Sequence, residues 1–374
     1  MRSLRTIVDT CSMLSEALPR TAMITQTNQT VYTDTEQQFI ALLDMINLDE
    51  NLASQPELAS QFEASLDRAI QDAYHTNSND TAAHRFLQRV LYRINRLKLF
   101  WYDDLRHYTN ERSAYLRSVR DRIEAPWQAW ELAQIDVAAL QQEDVKQGLM
   151  NRGARDLDPP PSEDSRYIRE QTTEAGYRRI LAIGSFDGLV EGSRLSRILG
   201  GAANEVQATL TRVLIEEYGN GRLSRKHSTY FAQMLSEFGM NTEPEAYFDL
   251  VPWEVLACAN HNFLVTECKR YFLRYNGGLT YFEVAGPAAY RNYLTAAQRL
   301  GLSQAAMGYW ELHIREDERH GRWMLDDVAL PLADKYPEQA WELLLGYDQE
   351  KLMGDRAGVA IVRSAKEADR LQVK

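Results

Sequence analysis

The stretch Glu311-Leu-His-Ile-Arg-Glu-Asp-Glu-Arg-His-Gly-Arg-Trp-Met324 carries His313, Asp317 and His320 at positions i, i+4 and i+7. On an α-helix those offsets return to within about 40° of one another, so the three side chains form one stripe. Two imidazoles and a carboxylate make poor core material, because each needs a partner when buried. Together they make half of a metal site, with nitrogen and oxygen donors suited to iron, manganese or zinc. An ordinary solvated face accounts for Arg315, Glu316, Glu318 and Arg319, but it fits the two histidines badly. The metal reading therefore depends on whether the chain supplies the other half.

Working outward, the next informative stretch is Glu216-Glu-Tyr-Gly-Asn-Gly-Arg-Leu-Ser-Arg-Lys-His227. Glu217 and His227 are ten residues apart, which a straight helix would place about 80° out of line. Gly219-Asn220-Gly221 lies between them and is a strong local irregularity. Either the helix ends at Gly219 and leaves Glu217 an exposed last-turn acid, or the turn absorbs extra residues and returns His227 to the face of Glu217. Glu283, in Tyr281-Phe-Glu-Val-Ala285, is flanked by apolar residues, where a carboxylate is costly unless paired or bound to a cation. Glu191 closes the apolar run Phe186-Asp-Gly-Leu-Val-Glu191. Taken singly, both acids read as surface residues. His261 reads as a hydrogen-bonded structural histidine, and the pairs Asp72 with His75 and Asp104 with His107 as surface pairs on helices.

The chain has 374 residues, 44% apolar and 25% charged, the balance of a soluble globular protein. A net charge of −11 argues against a nucleic-acid partner, since phosphate backbones select basic surfaces. No run approaches the ~20 apolar residues of a membrane span, and the amino terminus shows no signal-peptide pattern. Cys11, Cys258 and Cys268 are too scattered for a disulfide framework or a metal knuckle. The expectation is a cytoplasmic protein with reduced thiols and no membrane association.

The helical period dominates throughout, so the fold class expected is all-α. Amphipathic segments begin near Thr35, Pro56, Thr81 and Arg112, with Asp80-Thr81 as a cap. The aromatic end of the third, Leu97-Lys-Leu-Phe-Trp-Tyr102, reads as core or as a patch that pairs two chains. Pro159 to Pro161 exclude a helix and favour an extended connector. The organisation expected is a helical domain over 1–150, a Pro-rich linker over 151–165, and a second helical domain over 166–374 that carries the chemistry.

In order, Glu217, His227, Glu283, His313, Asp317 and His320 resemble the ligand pattern of the heme-oxygenase-like diiron oxidases, over roughly residues 166–345. In that family a Glu and a His come from one core helix, a Glu from the next, and His-x-x-x-Asp-x-x-His from a third. The string Glu-Glu-Tyr-Gly-Asn-Gly, with Glu191 upstream as an additional carboxylate, is similar to the N-oxygenating branch. The resemblance implies a heme-oxygenase-like helical bundle preceded by a helical dimerisation domain, hence a homodimer. It implies two Fe(2+) ions per chain held by Glu191, Glu217, His227, Glu283, His313, Asp317 and His320, with Glu191 and Glu217 closest to the chemistry. It further implies O2 as co-substrate, an external electron donor such as a reductase, and an amine or guanidine substrate. Oxidative C–C cleavage, decarboxylation or desaturation of an amino or fatty acid is the alternative activity. A cupin domain that follows in one member of the branch has no counterpart here, where sequence beyond Pro337 still reads as helix, so nitrosation by this chain alone is not expected. A ferritin-like scaffold would need Glu-x-x-His pairs, which the sequence lacks.

Overall fold

The computed structural model describes residues 20–75, 80–100, 104–200 and 205–372, and among these there is no strand. The amino-terminal helices are α1 (Arg20–Leu43), α2 (Leu48–Ser54), α3 (Ser60–Ile70), α4 (Thr81–Asn95) and α5 (Ala114–Leu132). Short α6 (Val137–Leu140), α7 (Val145–Asp156) and α8 (Glu163–Glu170) lead into the carboxyl-terminal bundle. That bundle comprises α9 (Glu174–Gly188), α10 (Glu205–Glu217), α11 (His227–Glu237), α12 (Trp253–Glu267), α13 (Phe272–Arg299), α14 (Gln304–Trp323), α15 (Leu330–Lys335) and α16 (Trp341–Gln372). The chain is all-α, as the periodicity predicts.

The apolar stripes read from the sequence are the buried faces. Phe39 of α1, Phe62 and Leu66 of α3, Phe86 and Val90 of α4, and Val119 and Ile123 of α5 meet in one cluster. Asp80 caps α4 by accepting from the Ala82 and Ala83 amides at 2.9 and 3.3 Å, which satisfies two of the orphan donors at a helix start. The first helix begins well before the expected Thr35, at Arg20. Leu97 is buried and Phe100 is 88% exposed; Trp101 and Tyr102 of the same aromatic run lie outside the described residues, as does Cys11.

Two expectations change. The connector is shorter than 151–165, because α7 runs to Asp156 and α8 resumes at Glu163, leaving the three prolines in the break. The amino-terminal helices are also not a separate layer, since their core takes in Trp253 and Ala257 of α12 and Met353 of α16. Asn260 of α12 ties the same seam, donating to the Gln88 carbonyl at 2.8 Å and accepting from Asn95 at 3.1 Å, all fully buried. An apolar stripe states that a helix is covered, not by which neighbour, so the sequence alone could not assign this contact.

The bundle is built around α13, which packs along both α14 and α16. Its approach to α16 is backbone on backbone. A Cβ on Gly277 would lie 2.0 Å from the Leu343 carbonyl oxygen, and one on Gly346 1.9 Å from that of Arg274. Only glycine at both positions permits the contact. Among the described residues no helix is long and apolar enough to cross a membrane.

Candidate metal centre

His313, Asp317 and His320 of α14 are 2%, 2% and 0% exposed, while Arg315 and Glu318 on the opposite face reach solvent. The stripe therefore faces inward, where the rest of the chain delivers partners. Glu217 is the last residue of α10 and His227 the first of α11. Between them Gly219, Asn220 and Gly221 all take left-handed φ, at 61°, 54° and 76°. Glycine and asparagine are the residues that tolerate this conformation, and the turn folds back so that His227 Nδ1 lies 2.9 Å from Glu217 Oε2. Of the two readings the sequence left open, the returning turn is the one observed.

Glu191 follows α9 in an irregular turn and enters from the other side. Its Oε1 accepts from the Tyr309 hydroxyl at 2.9 Å and lies 2.9 Å from His313 Nε2. Glu283, 5% exposed on α13, places Oε2 3.4 Å from His320 Nδ1. All seven residues singled out from the sequence thus converge; six of them fall into two overlapping groups, and Glu283 stands beside His320. Glu191, Glu217, His227 and His313 offer ligand atoms within 4.8 Å of one another, as do Glu217, Asp317 and His320. Glu217 belongs to both.

The donor set fits a pair of cations on three physical grounds. First, His320 Nδ1 lies 3.4, 3.7 and 3.8 Å from oxygens of Glu283, Asp317 and Glu217. Those gaps are mostly too long for hydrogen bonds, but ligands about 2.1 Å from a shared metal sit roughly 3–3.5 Å apart. Second, Glu191 Oε2 and Asp317 Oδ2 are buried without a hydrogen-bond partner, a costly state for carboxylates unless a cation serves them. Third, three buried carboxylates and the half-buried Glu191 carry a charge of −4, which two divalent ions cancel. Without metal, protons fill that role. Burial opposes a charge on His313, yet Glu191 and Asp317 beside it lift its pKa well above the ordinary imidazole value. Burial likewise opposes a charge on His320, but the Glu283 and Glu216 carboxylates push its pKa up to about 10. Asp317 is raised well above the usual carboxylate range by burial and by Glu283. Glu217 stays below that range despite burial, through its contact with His227 and the charge of the other imidazoles.

Partners behind the imidazoles fix which nitrogen points inward. His313 Nδ1 is 2.9 Å from the Tyr309 carbonyl one turn earlier, so it carries the proton and leaves Nε2 to the centre. His320 is reversed, with Nε2 2.9 Å from Glu216 Oε2 and Nδ1 facing the carboxylates. Glu216 also accepts from Arg319 at 2.5 Å. Sequence reasoning missed Glu216 and Tyr309. Tyr309 stands at i−4 from His313, a signal that was available, whereas Glu216 differs from its neighbour Glu217 only in the face it takes. Glu216→Gln should weaken iron binding by roughly 10–100-fold, the usual effect of removing a carboxylate behind a metal-bound imidazole. Competition with a chelator measures it, and an unchanged affinity would show that Glu216 has no part in orienting His320.

The remaining histidines lie outside the centre, and His261, expected to be hydrogen-bonded, instead has a buried Nδ1 with no hydrogen-bond partner. His261 faces the adjoining cavity, where burial and Arg274 hold its pKa down near 3. Asp104 pairs with Arg106 and Asp72 accepts from Tyr32, with no metal cluster at either. Cys258 also lines the cavity, where burial raises its thiol pKa well above the usual value and favours the protonated form. The cavity, about 330 Å³, opens onto Glu191, Glu217, Glu283, His313 and Asp317.

Residues 178–349 match the family of iron-containing redox enzymes, and that span contains every residue of the centre. This part of the chain belongs to the heme-oxygenase-like iron-containing redox enzymes. Over 150 residues, 40% of its length, the chain is also 27% identical to the nitrosourea synthase of Streptomyces achromogenes subsp. streptozoticus. The matched stretch spans about a third of that relative, 32% of its length. The family assignment agrees with the oxygen- and nitrogen-rich donor set, which suits iron and contains no thiolate.

Proposed function

We propose that this chain is a diiron N-oxygenase, which transfers one oxygen atom of O2 to an amine or guanidine nitrogen of a small amino-acid-derived molecule. The observation that carries this reading is the placement of Glu191, a fourth carboxylate held within the same group as Glu217, His227 and His313. The similarity to a nitrosourea synthase supports nitrogen as the atom oxidised. The balanced reaction is R–NH2 + O2 + 2 e− + 2 H+ → R–NHOH + H2O, with electrons from an external donor such as a reductase.

Two ferrous ions held by the seven residues would supply the reduction of O2. The chain's own groups do the rest. Tyr309 donates to Glu191 and, with the His313 contact, holds that carboxylate against the centre. Ile183, Leu195, Val265, Leu279 and Phe282 form an apolar wall that excludes water from the substrate nitrogen.

The test pairs iron content with product analysis. Iron-loaded protein supplied with reductant and O2 should add one oxygen atom to a primary amine such as L-lysine or to the guanidine of L-arginine, read by mass spectrometry. Glu191→Ala should keep the iron held by the other six residues and lose at least about tenfold in N-oxygenation, a typical effect of one positioned catalytic group. Products that have lost a carbon or gained an alkene would sink the reading in favour of oxidative cleavage or desaturation.

A further inference from the structure

The cavity that opens onto the metal ligands has a second polar feature at a distance from them. Glu350 of α16 lines it, and among the described residues no hydrogen bond or ion pair engages its carboxylate. The guanidinium groups within the same walls are committed elsewhere. Arg194 donates to Asp187 and, at 3.1 Å, to Asn262, while Arg274 is spent on Glu342 at 2.7 and 3.0 Å. Burial pushes the Glu350 pKa up to about 7, which Arg194 only partly offsets. A carboxylate left alone in a cavity wall is costly, and no packing requirement explains it, since an apolar residue would fill the position.

The position is informative. Glu350 Oε2 lies 3.4 Å from where a Cβ on Gly278 would stand, and Gly278 precedes Glu283 by five residues on α13. Five helical residues span roughly 7–8 Å along the axis. The free carboxylate and the metal ligands therefore face one cavity from points separated by the length of a short aliphatic chain. With the four metal-site carboxylates neutralised by metal, Asp187 by Arg194 and Arg274 by Glu342, the one uncompensated charge in the wall is negative and sits at Glu350.

We infer that Glu350 anchors a cationic nitrogen of the substrate, so that the substrate carries two basic nitrogens on a short chain, one held at Glu350 and the other presented to the metals. This rests on the N-oxygenase reading for the second nitrogen only. The anchoring itself is a binding property and is measured without turnover. Iron-loaded, oxygen-free protein is titrated calorimetrically at pH 8 with 1,5-diaminopentane and, separately, with 1-pentanol, which has the same chain and no cationic nitrogen. The wild-type protein should bind the diamine at least tenfold more tightly. Glu350→Gln, which keeps the size of the side chain, should remove that preference by weakening the diamine and leaving the alcohol unchanged, with the iron content retained. Equal affinities in the wild type overturn the anchor without any variant being needed, as does the absence of heat with both probes. A tenfold preference that survives in Glu350→Gln overturns it too. If the diamine preference behaves as expected but no nitrogen is oxidised under O2, the anchor stands and the N-oxygenase reading is what fails.

Discussion

Glu217→Ala should strip both metal positions at once, whereas Asp317→Ala should strip one. Glu217 is the one residue common to the two donor groups, so its loss subtracts a ligand from each, while Asp317 belongs to a single group. Iron measured after anaerobic loading should fall from about two per chain to near zero in the first variant and to about one in the second, given the dependence of such sites on their full ligand set. O2 consumption should fall by on the order of a thousandfold or more in both, because reduction of O2 needs the pair. The alanine leaves a gap beside three imidazoles, so Glu217→Gln serves as the variant that preserves packing, and its helical circular-dichroism signal should match the wild type. Two irons retained in either Glu217 variant would mean that the two positions do not share this carboxylate.

The second large effect is expected at Gly219, far from any ligand role. A Cβ there would lie 2.4 Å from the carbonyl carbon of Arg225 and 2.5 Å from the amide of Lys226, in a residue with φ of 61°. The atoms it would strike are backbone, in the segment that delivers His227, so the clash cannot be relieved by a side chain moving aside. Gly219→Ala should therefore destabilise the protein by roughly 2–4 kcal/mol, left-handed strain and collision combined, and displace His227 from Glu217. Gly221→Ala is the control. Its φ is 76°, but nothing lies within 4 Å of the added methyl, so only the backbone term of about 1–2 kcal/mol applies. Thermal unfolding of the two variants separates the contributions. Equal losses would show that the close approach to Arg225 and Lys226 carries no weight.

Much of the centre was legible because its ligands obey local rules. His313, Asp317 and His320 share a face by helical spacing alone, and Gly219-Asn220-Gly221 announces a turn whichever way it leads. Glu191 and Glu283 were different, since a lone acid beside apolar residues acquires meaning only from what packs against it. They were named through the family resemblance, not through their surroundings. Glu216 shows the limit most sharply. Two adjacent glutamates at a helix end point to different faces, and which one meets His320 Nε2 depends on where α14 lies. Glu350 was invisible for the same reason, as one acid among several along an amphipathic helix of 32 residues. The three prolines marked a real break, but they carried no information on how the helices before it pack. That packing is set by Asn260, Trp253 and Ala257, three residues in another part of the chain.

The helix those residues occupy serves both the amino-terminal core and the cavity. Trp253 and Ala257 of α12 belong to the amino-terminal core, while Val255, Ala259 and Asn262 look into the cavity. Val255, Ala259 and Asn262 are outside the metal donor set, although Val255 and Ala259 also pack in the cluster of Tyr92 and Phe186. Exchanging a valine or an alanine on that face changes the room and polarity offered to a guest while the oxidising machinery on α10, α11, α13 and α14 stays as it is. A scaffold arranged in this way can drift from one small molecule to another by single substitutions. Divergence among sequences that share this centre should accordingly concentrate on the cavity side of α12, and the residues at its back should change little.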